Sequence, residues 1–275
     1  MLITGATVSI VIPAYNEEAT IRPCLLAAIL QTVPASEIIV VDNRSTDGTA
    51  AIVHAVQVEY PDAPIIYLQQ NEEQGLVPTR NFGLDHAQGE VLGRIDADSI
   101  IEPNWVEEVQ KAFQDPSVAA STGPVLYYDM PLRRFGLKAD DTLRQLVLKL
   151  SREYHFLFGS NMAIRREAWQ AVRLEVCRDQ DDELHEDIDL SVHLARHAFR
   201  VAYVPKMVSG MSARRLEDSP RDYAYYALRF DRTYARHGIR SPALRAPIIV
   251  FLVIYPLFKT VRAIRQRRQA FADRK

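Results

Sequence analysis

The residues of this chain best suited to chemistry are carboxylates gathered at a few points. Asp96-Ala97-Asp98 comes directly after the run at 91–95, which reads as a buried strand. Two carboxylates two residues apart can divide the work. One can hold a ribose hydroxyl while the other reaches a divalent cation. Carboxylate oxygens suit hard Mg2+ or Mn2+, which also take phosphate oxygens. Tyr15-Asn16-Glu17 and Asp42-Asn43 each close another apolar run. Glu186, Asp187 and Asp189 stand at the head of an apparent helix, where the macrodipole alone favours negative charge.

The elements that must position these groups follow from hydrophobic patterning. Val8-Ser9-Ile10-Val11-Ile12 is β-branched and almost wholly apolar and ends at Pro13, as a buried parallel strand would. Residues 17–30 predict a helix with Ile21, Leu25 and Ala28 on one face and Pro23 in its first turns, where proline is tolerated. A second strand at 38–41 runs into the polar loop 42–48, followed by a helix from Thr49. Residues 65–68 and 90–95 predict two more strands, with a helix at 79–87 between them. This alternation implies βαβ units and a mostly parallel sheet. Ligands in such sheets bind at the carboxyl ends of the strands. The three polar clusters sit at such ends, so one sheet edge should collect groups for a metal and a hydroxyl-rich ligand. Further on, residues 118–127 read as one strand. Leu143, Leu146, Val147, Leu150 and Tyr154, then Tyr223, Tyr226, Ala227, Phe230 and Tyr234, fall at helical spacing, as faces that pack on a core.

Length and composition agree with a folded α/β protein. The 275 residues are 48% hydrophobic and 25% charged, which excludes a disordered chain and a multi-span membrane protein. The formal net charge of −2 sets up no global field toward nucleic acid. Cys24 and Cys177 form no disulfide framework, which fits a reducing compartment. The seven histidines make no metal-spacing signature with cysteine. His193 and His197 are four apart but lack the H-E-x-x-H glutamate of a zinc protease. No G-x-G-x-x-G turn and no lysine-bearing phosphate loop occurs, which excludes a nicotinamide enzyme and a nucleotidyltransferase of that type. The first basic residue is Arg22, and the run at 8–12 is too short for a signal peptide's core. The catalytic part is therefore expected in the cytoplasm.

The ordered motifs resemble family-two inverting glycosyltransferases. The similarity opens at Val8-Ser9-Ile10-Val11-Ile12-Pro13-Ala14-Tyr15-Asn16-Glu17-Glu18 and continues at Val40-Val41-Asp42-Asn43-Arg44-Ser45-Thr46-Asp47-Gly48-Thr49. It goes on through Thr79-Arg80-Asn81-Phe82-Gly83, Gly89-Glu90 and Asp96-Ala97-Asp98. Gly159-Ser160-Asn161-Met162-Ala163-Ile164-Arg165-Arg166 is similar to the sugar-side loop, and Glu186-Asp187-Ile188-Asp189-Leu190 to the segment with the catalytic base. The resemblance runs from about residue 8 to 205. It implies a GT-A fold, a nucleotide-sugar donor and inversion at the anomeric carbon.

Carried over residue by residue, it places Pro13, Ala14, Tyr15 and Glu17 in the nucleoside pocket and Asp42 on the base. Asp42 is compatible with uridine and does not exclude guanosine or thymidine; a UDP-sugar is the favoured donor, with a GDP-sugar as the alternative. Arg80 would lie beside the nucleotide and fix the acidic loop. Asp96 would bind the ribose or support the metal, and Asp98 would coordinate Mg2+ or Mn2+ on the diphosphate. Asp187 would take the proton from an acceptor hydroxyl. Many relatives carry a further histidine after the strand that follows the base helix. Here Met207-Val208-Ser209-Gly210-Met211-Ser212-Ala213-Arg214-Arg215 has none. Arg214 or Arg215 would then neutralise the diphosphate, a task that suits arginine's planar fork, unless both are simply solvated.

The division expected from these motifs is a GT-A catalytic domain at 1–215 and a helical extension at 216–275. Residues 246–258 are uncharged, and residues 259–275 hold seven basic side chains and one acidic. Thirteen residues cannot span a bilayer. An apolar segment beside clustered Lys and Arg suits an interfacial anchor on anionic lipid, and a core helix with a solvated basic end is the other reading. The expected protein is thus a peripheral enzyme on the inner face of the cell membrane. Its acceptor would be a glycan or a lipid-linked hydroxyl. A second function class is a catalytically inactive relative that binds nucleotide-sugar or glycan and recruits a partner to the membrane.

Overall fold

A computed structural model describes residues 5–150, 154–179 and 183–272. The first half alternates strands and helices in the expected order: β1 (Val8–Ala14), α1 (Ile21–Ile29), β2 (Glu37–Asp42), α2 (Thr49–Glu59), β3 (Ile65–Gln69), α3 (Leu76–His86) and β4 (Val91–Ile95). After these come β5 (Ile100–Ile101), α4 (Trp105–Ala112), β6 (Val118–Thr122), β7 (Val125–Tyr127), α5 (Arg133–Leu150), β8 (Asn161–Arg165) and α6 (Arg166–Val172). The chain then forms α7 (Glu186–Arg196), β9 (Arg200–Tyr203), β10 (Ser209–Met211), a 3-10 turn (Arg214–Glu217), α8 (Pro220–Arg236) and α9 (Pro242–Ala272).

Seven strands make one sheet in the order β3-β2-β1-β4-β8-β6-β9. All its pairings are parallel except those of β8, which runs antiparallel to both β4 and β6. The architecture is therefore the expected mostly parallel sheet flanked by helices. Every residue of β1 and β2 is buried, because helices cover both faces of the sheet. Ile10, Ile12, Ile38 and Val40 point into one core with α1, α2 and α4, while Val11, Ile39 and Val41 point into the other with α3, α6 and α7. The alternation along each strand assigns these sides. Gly83 lets α3 lie close on the sheet, since a Cβ there would overlap Val11 and stand 3.0 Å from Val41.

Three sequence expectations need correction. The run at 118–127 is two strands, not one: β6 stays in the main sheet, and β7 joins a small sheet with β5 and β10. The break falls at Gly123-Pro124, and a Cβ on Gly123 would collide with the carbonyls of Val204 and Met207. Most of the segment similar to the sugar-side loop is strand, because Asn161–Arg165 supplies the one antiparallel insertion in the sheet. The apolar run at 246–258 is not a short segment of its own. It lies within α9, a helix of 31 residues that continues through Pro247 and Pro256.

Among the described residues no helix is long and apolar enough to cross a membrane. One face of α9 packs inward: Leu244 and Ile248 join a cluster with Phe156, Ile188, Val192, Ala227 and Tyr234. Further along, the Tyr255 hydroxyl and Lys259 ammonium each donate to the Asp218 carbonyl at 2.5 Å. Arg262 pairs with Asp129 and, at 2.8 Å, with Glu217.

Candidate active site

The carboxyl ends of β1, β2 and β4 lie side by side, because these strands are adjacent and parallel in register from Ala14 to Asp42 and from Val11 to Arg94. Pro13 and Ala14 are buried strand residues, and Tyr15 follows them half exposed. Asp42 ends β2 and is buried. Its two oxygens accept from the Ser45 amide at 2.9 Å and the Tyr67 hydroxyl at 2.5 Å. Tyr67 is a partner that strand patterning does not reveal. It meets Asp42 through the β2–β3 pairing, and burial together with that carboxylate pushes its phenol up to about 12.

Arg214 closes the gap between two of the acidic groups. Its guanidinium donates to both oxygens of Glu17, at 2.6 and 3.0 Å, and its Nε stands 3.2 Å from Asp98 Oδ2. Asp98 is only 5% exposed. Burial first, then the charge of Asp96, pushes its carboxyl up to about 6, against the pull of Arg214. These oxygen donors, buried Asp98 beside half-buried Glu17 and Asp96, fit the chemistry of a hard divalent ion. Arg215 turns away, with its guanidinium 3.8 Å from the centre of the Tyr226 ring and 3.7 Å from Asp218.

A second set of ion pairs ties the acidic loop to the head of α7. Arg80, buried on α3, bridges Asp96 at 2.7 Å and Glu186. Arg94, in the middle of β4 and 2% exposed, donates to Glu186 at 2.9 Å and to the Gly159 carbonyl at 2.9 Å. The Gly159 amide in turn donates to Asp187 at 2.8 Å. A side chain at Gly159 would run into Arg94 and Glu186.

The neighbouring carboxylates are thereby driven apart. Burial would raise Glu186, but Arg80 and Arg94 overcome it and hold it well below its ordinary value. Asp187 has no such direct ion pair among the described residues, and burial with the adjacent Glu186 charge pushes it up to about 6. Such splitting of paired acids is the usual way to separate a structural anion from a proton acceptor. Glu186 had no role of its own among the candidates from the sequence, and Arg94 was not among them. The available signal was an arginine inside a strand otherwise buried and apolar, which demands a partner.

Residues 9–173 match the model of Glycosyl transferase family 2. The chain belongs to this family. A second model, Glycosyl transferase family group 2, matches residues 94–265 of this family 2 chain. Glycosyltransferase AglE of Haloferax volcanii is 38% identical over 102 residues, which cover 36% of the chain and 33% of AglE. Glycosyltransferase GlyG of Streptococcus pneumoniae is 30% identical over 122 residues, covering 44% of the chain and 40% of GlyG. The matches thus span about a third to two fifths of these relatives.

Among solved structures, the mannosyltransferase PcManGT from Pyrobaculum calidifontis, in complex with GDP-Man and Mn2+, superposes with a TM-score of 0.69. The identity is 22%, and the match covers 98% of the family 2 chain and 76% of PcManGT. Glucosyl-3-phosphoglycerate synthase from Mycobacterium tuberculosis, with Mn2+, UDP and glucosyl-3-phosphoglycerate, gives a TM-score of 0.57 at 21% identity, covering 86% of this chain and 82% of that one. These likenesses establish the GT-A fold.

Proposed function

We propose that this chain transfers a sugar from a UDP- or GDP-sugar to a hydroxyl acceptor, with inversion and with the help of Mg2+ or Mn2+. The observation that carries the reading is the pair at the head of α7. Glu186 is neutralised by two arginines, while Asp187, held by the Gly159 amide, is pushed up to about 6. A carboxylate so placed remains ionised at neutral pH yet is basic enough to take a proton. Mn2+ beside GDP-Man or UDP in two structures of the same fold supports a metal and a nucleotide-sugar here.

Pro13, Ala14, Tyr15 and Asp42 line the nucleoside end. Glu17, Asp96 and Asp98 collect negative charge where the diphosphate and ion belong, with Asp98 as the ion's ligand. When bound, the divalent ion stabilises charge on the departing nucleoside diphosphate. Arg80 holds Asp96 in place, and Arg214 offers its fork to phosphate oxygens. Arg215 is turned onto Tyr226 and Asp218, so the phosphate role falls to Arg214. Asp187 accepts the acceptor's hydroxyl proton as that oxygen attacks the face opposite the leaving group, which inverts the anomeric carbon. The direct test is metal-dependent transfer from a panel of nucleotide-sugars. Absence of both transfer and donor hydrolysis with every nucleotide-sugar and either metal would sink the reading.

Arg214 stabilises this acidic site in the absence of ligands. Arg214→Ala is expected to weaken nucleoside diphosphate binding about tenfold, the worth of a charged hydrogen bond. The same change should tighten binding of Mn2+ alone, since Glu17 and Asp98 lose their cation. Calorimetric titration with each ligand separately checks both signs.

The catalytic unit is taken as 1–215 and the extension as 216–275, docked on it through the cluster of Phe156, Ile188, Tyr234 and Ile248. The outer face of α9 carries Ile249, Val253 and Leu257 at four-residue spacing, each more than 60% exposed. Arg265 and Arg267 follow. This face suits the surface of an anionic membrane, as on the cytoplasmic leaflet, where a lipid-linked or glycan acceptor would be met. Deletion of the tail would also remove the packed inner face, so the sharper test keeps the helix. Val253→Ser with Leu257→Ser is expected to reduce flotation with anionic liposomes while Tm stays near that of the parent. Flotation equal to the parent protein would rule out this face as the anchor.

A further inference from the structure

One turn beyond the start of α7 lies a second group of ligating side chains that the transfer chemistry does not use. Asp189, His193 and His237 bring a carboxylate oxygen and two imidazole nitrogens within 4.8 Å of one another. His237 Nε2 is 2.8 Å from Asp189 Oδ1, and His193 Nε2 is 3.8 Å from Asp189 Oδ2. A tetrahedral zinc ion stands about 2.0–2.3 Å from its ligands, which then lie about 3.3–3.8 Å apart. The observed spacings bracket that range, so small side-chain rotations bring the three onto an ion.

Two further contacts distinguish this group from a chance cluster. Glu175 Oε2 stands 3.2 Å from Nδ1 of His193 and so occupies the far side of that ring. A carboxylate on the remaining ring nitrogen fixes the tautomer and aims the other nitrogen at a metal. The second contact orients the carboxylate: the Cys177 amide donates to Asp189 Oδ2 at 2.7 Å. Two imidazoles favour zinc over the hard ions suited to Asp98.

We propose that Asp189, His193 and His237 form a zinc site with three protein ligands. The ion would join α7, two residues past Asp187, to the end of α8. Imidazole nitrogens bind zinc only without their proton, so zinc affinity should fall at low pH. In the absence of an ion His237 meets Asp189 at 2.8 Å and His193 meets Glu175 at 3.2 Å, so the fold does not require the metal.

The test uses the full chain, stripped with a chelator and titrated with Zn2+ alone. We expect one zinc per chain, a higher Tm with zinc, and the same uptake in Asp98→Asn, which separates this site from the donor site. Cobalt in place of zinc should give tetrahedral visible bands, lost in His237→Gln. His237→Gln should weaken zinc binding by about 100-fold or more, beyond the effect of a supporting residue. His193→Gln, with folding checked by circular dichroism, gives the same reading if His237→Gln fails to fold. A folded wild-type chain that takes up no zinc overturns the site, leaving the His237–Asp189 and His193–Glu175 pairs. Unchanged uptake and cobalt spectrum in a folded histidine variant overturn it as well.

Discussion

Asp187→Asn is expected to lower transfer by about 10²–10⁴-fold, the usual contribution of a general base, while donor affinity stays near that of the parent. The amide keeps the shape of the side chain and can still meet the Gly159 amide through its oxygen, but it cannot accept a proton. A loss confined to kcat is the mark of an interaction made in the transition state. The pH dependence adds an independent check. The Asp187 carboxyl is pushed up to about 6 by burial and by Glu186. Its protonated form is inactive, so kcat at saturating donor should fall as pH drops below about 6. Saturation matters because Asp98 titrates in the same region and would otherwise contribute through donor binding. Near-parental transfer by the variant, or an acid limb that survives in it, would remove Asp187 from the role of base.

Asp98→Asn is expected to abolish the metal dependence of donor binding, with an affinity loss of about 100-fold or more in the presence of Mn2+, since even supporting residues of metal sites are worth 10–100-fold. The carboxyl is buried, faces Arg214 at 3.2 Å and is raised by Asp96, so an incoming cation relieves charge that the protein pays to hold there. The amide removes that relief without changing the volume. Calorimetry with a nucleoside diphosphate, with and without Mn2+, reads the effect. If the two titrations still differ as they do in the parent, Asp98 is not the ligand. Wild-type affinity should also weaken below about pH 6 as the carboxyl protonates and stops attracting a cation.

Much of the architecture was legible along the chain because it is local. Runs such as Val8-Ser9-Ile10-Val11-Ile12 and Ile38-Ile39-Val40-Val41 are buried on both faces, and their β-branched composition marks them directly. Their carboxyl ends therefore located Tyr15, Asp42, Asp96 and Asp98 on one edge before any coordinates. The short strands β5, β7 and β10 escaped notice. They hold two or three residues each, too few for periodicity, and exist only because they pair with one another. The tail was readable as apolar and basic, but its inner contacts with Phe156 and Ile188 join segments more than 50 residues apart.

The amino-acid sequence by itself determined the βαβ order, the family and the set of acidic residues at the sheet edge, since hydrophobic period and motif order are properties of neighbouring positions. Only the tertiary structure decided which acids are neutralised and which stay basic. Glu186 and Asp187 are adjacent in sequence, yet Arg80 and Arg94 reach only the first directly, because a guanidinium's short-range pairing depends on where distant elements place it. The same holds for Asp189, His193 and His237. Their spacing matches no metal motif, and they form a cluster because α8 returns its last turn to α7.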